Sequence, residues 1–133
     1  MREEVEWWIS AAHRDGEMAD VLLSRGFFEG AAFHSQQAAE KYLKALCIFR
    51  KAAWLRTHSC TATLEAVKAQ GQTVPDPVMT AARKLDAHYI AARYPNGVGG
   101  APEAFYDQAI AEDCTHTSRL VKEYALGIIG EQR

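Results

Sequence analysis

The apolar positions between Phe33 and Leu46 recur at the three- and four-residue intervals that mark one face of an α-helix. This stretch, FHSQQAAEKYLKAL, contains no glycine or proline and consists largely of strong helix formers. Because small alanines stand beside large side chains, neighbouring helices can approach closely, and we expect this helix to be central. Its apolar side comprises Ala38, Ala39, Tyr42, Leu43, Ala45 and Leu46.

The same period predicts the extent of the first two helices. The first covers residues 2–24, and Gly26 ends it in the usual C-terminal manner. Gly16 interrupts its apolar stripe, which indicates either tight packing at that point or a bend. The second begins near residue 27 or 28 and ends between Arg50 and Ala53. The inner stripe of the first helix comprises Val5, Trp8, Ile9, Ala12, Ala19, Leu22 and Leu23.

Capping residues delimit two further helices. A third, shorter helix is expected over residues 61–70, with Thr57 or Ser59 as its N-cap. Pro75 and Pro77 suit the first turn of a fourth helix, where a missing backbone N–H costs nothing. The buried stripe of this fourth helix is predicted to comprise Val78, Ala82, Leu85 and Tyr89.

The stretch RYPNGVGGAPEA, residues 93–104, is rich in glycine and proline and is predicted to be a loop without regular structure. Asp107 is a suitable N-cap for a last helix over residues 108–129. No segment alternates as a strand would, and no internal repeat is present. The pattern therefore predicts an all-α protein, an up-and-down bundle of four long helices plus a short one, in a single domain over residues 1–133.

Composition and charge exclude several classes of protein. The formal net charge of −2 gives no overall attraction to nucleic acid or membrane, so any phosphate must be held by a local patch. Cys47, Cys60 and Cys114 are odd in number and widely spaced, which favours free thiols over disulfides or a metal site. We therefore expect no metal and no cofactor. Without a signal-like N-terminus or a transmembrane stretch, a cytoplasmic protein is expected.

Charged and amide side chains form a stripe along the central helix. Glu40 and Lys44 stand four residues apart in the favourable order, so a solvent-exposed ion pair is the simplest interpretation. Alternatively, Gln37, Lys41 and His34 join them in a polar strip that faces a ligand or a partner. The sequence leaves both interpretations open.

Two further sites carry groups that suit a phosphate. His58 follows Arg56 and Thr57 at a predicted helix start, where it could hydrogen-bond the backbone or meet an anion. Arg93 and Tyr94 leave a helix and enter the predicted loop. They could cover the end of the bundle or bind a ligand.

Four residues separate Arg83 from His88, a spacing found in metal-independent ribonucleases made of small helical domains. In such enzymes the histidine transfers a proton and the arginine stabilises the phosphate. A chain of this composition is expected to contain about one such pair by chance. Residues five apart also point about 140° away from each other around a helix axis. The two side chains can therefore meet only across a dimer or at a helix kink.

Several segments together resemble the HEPN family, the "higher eukaryotes and prokaryotes nucleotide-binding" domain. They are WWISAAHRDGEMADVLL, FHSQQAAEKYLKAL, the pair Thr57-His58, the stretch KLDAHYI, the turn Arg93-Tyr94-Pro95 and the helix that follows Phe105-Tyr106-Asp107. In this order they cover nearly the whole chain.

The resemblance implies a helical bundle that forms a homodimer without metal. It also implies a role as one half of a toxin–antitoxin pair with a minimal nucleotidyltransferase. The family's roles are nucleotide binding and, in a subset, RNA cleavage. The implied nucleotide- or phosphate-binding residues of this chain are Gln37, Lys41, Lys44, His58, Arg93 and Tyr94. The paired aromatics Trp7-Trp8 and Phe27-Phe28 favour a subunit interface, where aromatic residues are enriched.

Two positions depart from the family pattern. Gly16 replaces a bulky apolar residue. In the ribonuclease subset a tyrosine stands two residues after the histidine, whereas Tyr89 directly follows His88 and residue 90 is isoleucine. We therefore expect a nucleotide- or partner-binding component, not an enzyme. A metal-independent ribonuclease toxin that uses Arg83 and His88 is the alternative.

Overall fold

The computed structural model describes residues 2–52 and 56–131, and within them it contains helices and no strand. Five helices have two or more turns and build the bundle, which confirms the predicted all-α class. Two four-residue helices and one 3-10 turn join α4 to α7. The elements are α1 Arg2–Ser24, α2 Phe28–Phe49, α3 Cys60–Lys68, α4 Asp76–Asp86, α5 His88–Ala91, α6 Pro95–Val98, the 3-10 turn Pro102–Ala104 and α7 Gln108–Glu131.

α2 is the central helix, as its apolar period predicts. It packs most extensively against α1 and α7, and it also contacts α3, α4 and α5. Leu43 and Leu46 have no solvent exposure, and Ala32, Ala39 and Ala45 let the flanking helices approach closely. α2 therefore holds the other helices of the bundle together.

Hydrogen bonds at two helix starts explain where those helices begin. The hydroxyl of Ser59 accepts from the backbone N–H of Ala62 at 3.0 Å, so Ser59, and not Thr57, is the N-cap of α3. Asp107 Oδ1 accepts from the backbone N–H of Ile110 at 2.9 Å, and the predicted cap of the last helix is confirmed.

α3 is also fixed to α4 by a carboxylate. Asp86, the last residue of α4, accepts from the backbone N–H groups of Cys60 at 2.6 Å and Thr61 at 3.1 Å. It accepts a further hydrogen bond from the Ser59 hydroxyl at 2.9 Å. This junction fixes the position of His58, which directly precedes Ser59.

The prediction of a loop without regular structure over residues 93–104 is wrong. Pro95 starts the single turn of α6, and Gly99, with a φ of 75°, ends it in the left-handed region. Gly97 approaches α5 so closely that a Cβ there would lie 2.8 Å from the Cα of Ala91. α6 therefore packs directly on α5.

Two other helix ends and one expectation about packing differ from the prediction. The fourth helix ends at Asp86, so Tyr89 lies on the separate helix α5. α2 already ends at Phe49, while Ala53, the latest predicted end, lies outside the described residues. α1 runs through Gly16, where an added Cβ would meet nothing within 4 Å, so tight packing at this glycine is wrong. None of the described helices is long and apolar enough to cross a lipid bilayer.

Candidate functional site

The structure brings four of the predicted binding residues into one network where α2 meets α5, α6 and the start of α3. These are Gln37 on α2, His58 before α3, and Arg93 and Tyr94 between α5 and α6. Four further residues complete the network, which we name the His58–Arg93 cluster. Its members are Phe33, Gln36, Gln37, Glu40, His58, Tyr89, Arg93 and Tyr94.

A buried carboxylate orients the histidine of this cluster. Glu40 is 6% exposed. Its Oε1 lies 2.9 Å from His58 Nδ1, and its Oε2 accepts from Gln37 Nε2 at 2.9 Å. Gln36 Nε2 donates to the backbone carbonyl of His58 at 2.9 Å. Because Nδ1 faces Glu40, Nε2 is the ring nitrogen left for a ligand, and the side chain of His58 is 58% exposed.

Arg93 is held by aromatic rings. Its guanidinium carbon lies 4.7 Å from the ring centroid of Phe33, 4.5 Å from that of Tyr89 and 4.7 Å from that of Tyr94. Its Nε donates to the carbonyl of Tyr89 at 3.0 Å. The terminal nitrogens form no hydrogen bond or ion pair with any described residue. They are therefore free to donate to an anion.

Tyr89 links the histidine to the arginine. The imidazole of His58 stacks on its ring with centroids 4.3 Å apart and planes 13° from parallel. Arg93 contacts the same ring. His58 and Arg93 therefore have a common neighbour that fixes both, and two groups suited to a phosphate lie close together.

The predicted solvent-exposed pair of Glu40 and Lys44 is wrong, since Lys44 is only 3% exposed. Burial raises the pKa of Glu40, while the nearby positive charges of His58 and Lys44 oppose that rise. Lys44 thus supplies positive charge to Glu40 from inside the bundle.

Lys41 belongs to a different network. Asp15 of α1, 3% exposed, accepts from Lys41 Nζ at 2.5 Å, and its other oxygen lies 2.8 Å from His34 Nδ1. The sequence interpretation missed Asp15, although a signal was present. Asp15 stands three residues after Ala12 and four before Ala19, so a carboxylate occupies the predicted apolar stripe.

The structure does not bring Arg83 and His88 together within the chain. A turn at Ala87 separates α4 from α5, so the two side chains lie on different helices. Arg83 is exposed and its Nη2 donates to Thr80 Oγ1 at 3.3 Å. His88 Nδ1 lies 2.7 Å from the hydroxyl of Tyr106.

The partial burial of His88 makes the stability of the fold dependent on pH. Burial lowers the pKa of His88 below its ordinary 6.5, with Lys84 adding to the shift and Asp113 opposing it. The unfolded chain therefore binds the proton first as the pH falls, and the stability from neutral His88 is lost below 6.5. We expect His88→Gln to flatten the fall in the free energy of unfolding between about pH 7 and pH 5.

Urea denaturation of the wild type and of His88→Gln across this pH range measures the difference between their free energies of unfolding. Because His13 titrates in both, its contribution cancels. Parallel curves for the wild type and the variant would contradict the expectation.

Among the described residues, no group of three or more histidine, cysteine, aspartate or glutamate side chains could hold a metal ion. The predicted thiols Cys47, Cys60 and Cys114 are all buried, and none of them is joined in a disulfide. Burial, together with the nearby Asp86, raises the pKa of Cys60 well above its ordinary value, so this thiol stays protonated.

The protein is a small helical domain. Its bundle is organised around one central helix, and a histidine and an arginine are fixed beside that helix. The family model described as the HEPN domain matches residues 5–128. The chain therefore belongs to the HEPN family, and the resemblance noted in the sequence is confirmed.

Solved structures of similar proteins have the same fold. ST0689, described as an archaeal HEPN homologue, is 34% identical with a TM-score of 0.80, covering 95% of this chain and 98% of its own. TT1696 from Thermus thermophilus is 29% identical with a TM-score of 0.85, covering 92% and 95%. An HEPN domain protein from Thermotoga maritima, TM0613, is 27% identical with a TM-score of 0.75, covering 92% and 97%. No curated protein matches the chain.

Proposed function

We propose that this HEPN-domain protein is the nucleotide-binding component of a toxin–antitoxin type pair with a minimal nucleotidyltransferase, and that the His58–Arg93 cluster holds the phosphate. The observation that carries the proposal is the position of the Arg93 guanidinium. Three aromatic rings fix it beside His58, and its terminal N–H groups have no partner among the described residues.

This arrangement suits a phosphate for two reasons. The guanidinium is planar and always charged, and the rings that contact it reduce the conformational entropy lost on binding. When both of its ring nitrogens carry a proton, His58 can also donate a hydrogen bond from Nε2 to the phosphate while Nδ1–H faces Glu40. The half-exposed ring of Tyr94 beside Arg93 offers a surface on which a base can stack.

The charge balance of the cluster also favours an anion. Glu40 contributes one negative charge, but it is buried, it contacts His58, and the positive charge of Lys44 acts on it. Arg93 adds a positive charge that no described carboxylate neutralises. The surface that a ligand meets is therefore positive, although the chain as a whole carries a net charge of −2.

Calorimetric titration of mononucleotides into the purified protein tests the proposal. We expect Arg93→Ala to weaken binding about 10- to 100-fold, because a hydrogen bond to a charged group contributes about 1.5–3 kcal/mol. His58→Ala is expected to weaken it by a smaller factor. The matched control is Arg14→Ala, which removes an exposed arginine of α1 and should leave the affinity unchanged. Equal affinity of Arg93→Ala and the wild type, or no binding at millimolar nucleotide, would contradict the proposal.

The proposed partners rest on exposed apolar side chains. Trp7 and Phe27 are more than half exposed and Phe105 is half exposed, and aromatic residues are enriched in subunit interfaces. A homodimer, or a nucleotidyltransferase bound to one of these surfaces, would cover them. Sedimentation of the purified chain tests the dimer, and co-purification with the product of a neighbouring reading frame tests the partner.

The alternative function is a metal-independent ribonuclease that acts through Arg83 and His88. Because these residues bond to Thr80 and Tyr106 in one chain, this function requires a second copy to complete the cleft. It predicts RNA cleavage without added metal that is lost in His88→Ala. Intact RNA after incubation with the wild-type protein would exclude the ribonuclease function.

A further inference from the structure

The imidazole of His58 has one ring nitrogen bonded inside the fold and one that faces outward. Nδ1 lies 2.9 Å from Oε1 of Glu40, a residue that is buried. Nε2 forms no hydrogen bond with any described residue, and more than half of the side chain is exposed. A ligand that hydrogen-bonds to His58 therefore does so through Nε2, while Nδ1 stays on the carboxylate.

Neighbouring side chains fix this orientation of the imidazole. Its ring stacks on that of Tyr89 with planes 13° from parallel. Gln36 Nε2 donates to the backbone carbonyl of His58, and Gln37 Nε2 donates to Oε2 of Glu40, each at 2.9 Å. Turning the ring over would place a carbon atom against the buried carboxylate and lose its hydrogen bond. Nδ1 therefore remains the nitrogen that faces Glu40.

The number of protons on the pair of His58 and Glu40 decides what Nε2 offers to a ligand. Without an added proton, Nδ1–H of a neutral ring donates to an ionised carboxylate, and Nε2 carries a lone pair. With one added proton, either an imidazolium faces the carboxylate or a carboxylic acid donates to Nδ1. Both of these states have an N–H group at Nε2. Only the pair with the added proton can therefore donate to a phosphate oxygen.

Charged and titratable groups from several elements surround this pair. They are Lys44 of α2, Cys60 of α3, Asp86 at the end of α4, Tyr89 of α5 and Arg93 after α5. The Cys60 thiol stays protonated, because burial raises its pKa, and Asp86 accepts from backbone N–H groups of α3. Histidine is the side chain whose charge ordinarily changes between about pH 5 and 8. A proton taken up near neutral pH therefore enters at the pair of His58 and Glu40.

We propose that a phosphate and a proton bind together at this site, and that Glu40 is the positioning residue that couples them; the coupling rests on the nucleotide binding proposed for the His58–Arg93 cluster. The proton comes from the solvent and leaves Nε2–H directed at the phosphate. It also changes the pair from negative to neutral, which removes the repulsion between Glu40 and the anion. Since one proton is taken up, the contribution of the pair to affinity falls by at most about tenfold for each pH unit of increase.

Calorimetric titration of ribonucleoside monophosphates in buffers of different ionisation enthalpy counts the protons taken up on binding. At about pH 7.5 the wild type should take up more protons per bound nucleotide than His58→Gln does, by at most about one. The ionisation of the nucleotide and of the other histidines is common to both proteins, so it cancels. Equal proton uptake in the two proteins would overturn the coupling and leave the proposed nucleotide binding intact. Absence of any nucleotide binding would overturn both.

Two further measurements assign the coupling to Glu40. The amide of Glu40→Gln can donate to Nδ1 and leave N–H on Nε2 of a neutral ring, so its affinity should follow the pH profile of His58→Gln between about pH 6 and 8. The matched control is Glu65→Gln on the exposed face of α3, which should keep the wild-type profile.

Nitrogen-15 NMR of the wild type needs no change at Glu40. Adding nucleotide at about pH 7.5 should move the Nε2 signal of His58 towards that of a nitrogen that carries a proton. An Nε2 signal that stays in place on binding, or a wild-type pH profile in Glu40→Gln, would refute the role of Glu40.

Discussion

Replacing Asp15 with alanine is expected to lower the free energy of unfolding by about 3 kcal/mol. The carboxylate is 3% exposed and contacts both Lys41 and His34. Its removal leaves the ammonium of Lys41 in a mostly desolvated position without its counter-ion. The cost is therefore that of an uncompensated charge, and it exceeds the value of an ordinary surface ion pair.

Urea denaturation of Asp15→Ala, Lys41→Met and Asp15→Leu/Lys41→Met separates the two contributions. Because the double variant removes both charges and keeps apolar volume, it should be more stable than either single charge deletion. The control is Asp20→Ala, which breaks the exposed pair with Arg119 and should cost no more than about 1 kcal/mol. Equal losses in Asp15→Ala and Asp20→Ala would contradict this explanation.

Replacing Leu43 with alanine is expected to lower the free energy of unfolding by about 3 kcal/mol, within the range of about 2–5 kcal/mol found for such truncations in cores. Leu43 has no solvent exposure and lies on the helix that all the major elements contact. The surrounding helices are held by many other contacts, so they cannot close the cavity that the substitution leaves.

Thermal and urea unfolding of Leu43→Ala measure this loss. Val21→Ala is the control, because Val21 is more than half exposed on α1 and should change the stability by less than about 0.5 kcal/mol. If Leu43→Ala costs under about 1 kcal/mol, α2 does not have the central role that its burial indicates.

Much of the fold could be predicted from the sequence because apolar side chains at helical spacing have few other ways to be buried. The helical period of the apolar residues predicts the observed bounds of α1, and Asp107 indicates the start of α7. The prediction of a loop was wrong because proline and glycine can have either of two structural roles. Pro95 and Gly99 break longer helices, but they also start and end a single turn.

The candidate site could be predicted only in part. The chemistry of His58 and Arg93 indicates that they can bind a phosphate, but sequence spacing does not show that both contact Tyr89. The burial of Glu40 and Lys44 was missed because a helical period shows which residues share a face, and not which faces another helix covers. Here α2 is covered on most sides, so even Glu40 and Lys44 lie inside the bundle.

The close contact of Gly97 with α5 limits how this protein can diverge. No side chain fits between Gly97 and the backbone of Ala91, so any other residue would push α6 outward and carry Tyr94 away from Arg93. Relatives in which aromatic rings hold an arginine in the same way should therefore keep glycine at this position, even where the surrounding surface residues differ. A relative with a larger residue there would need a different way to hold its arginine, and with it a different ligand preference.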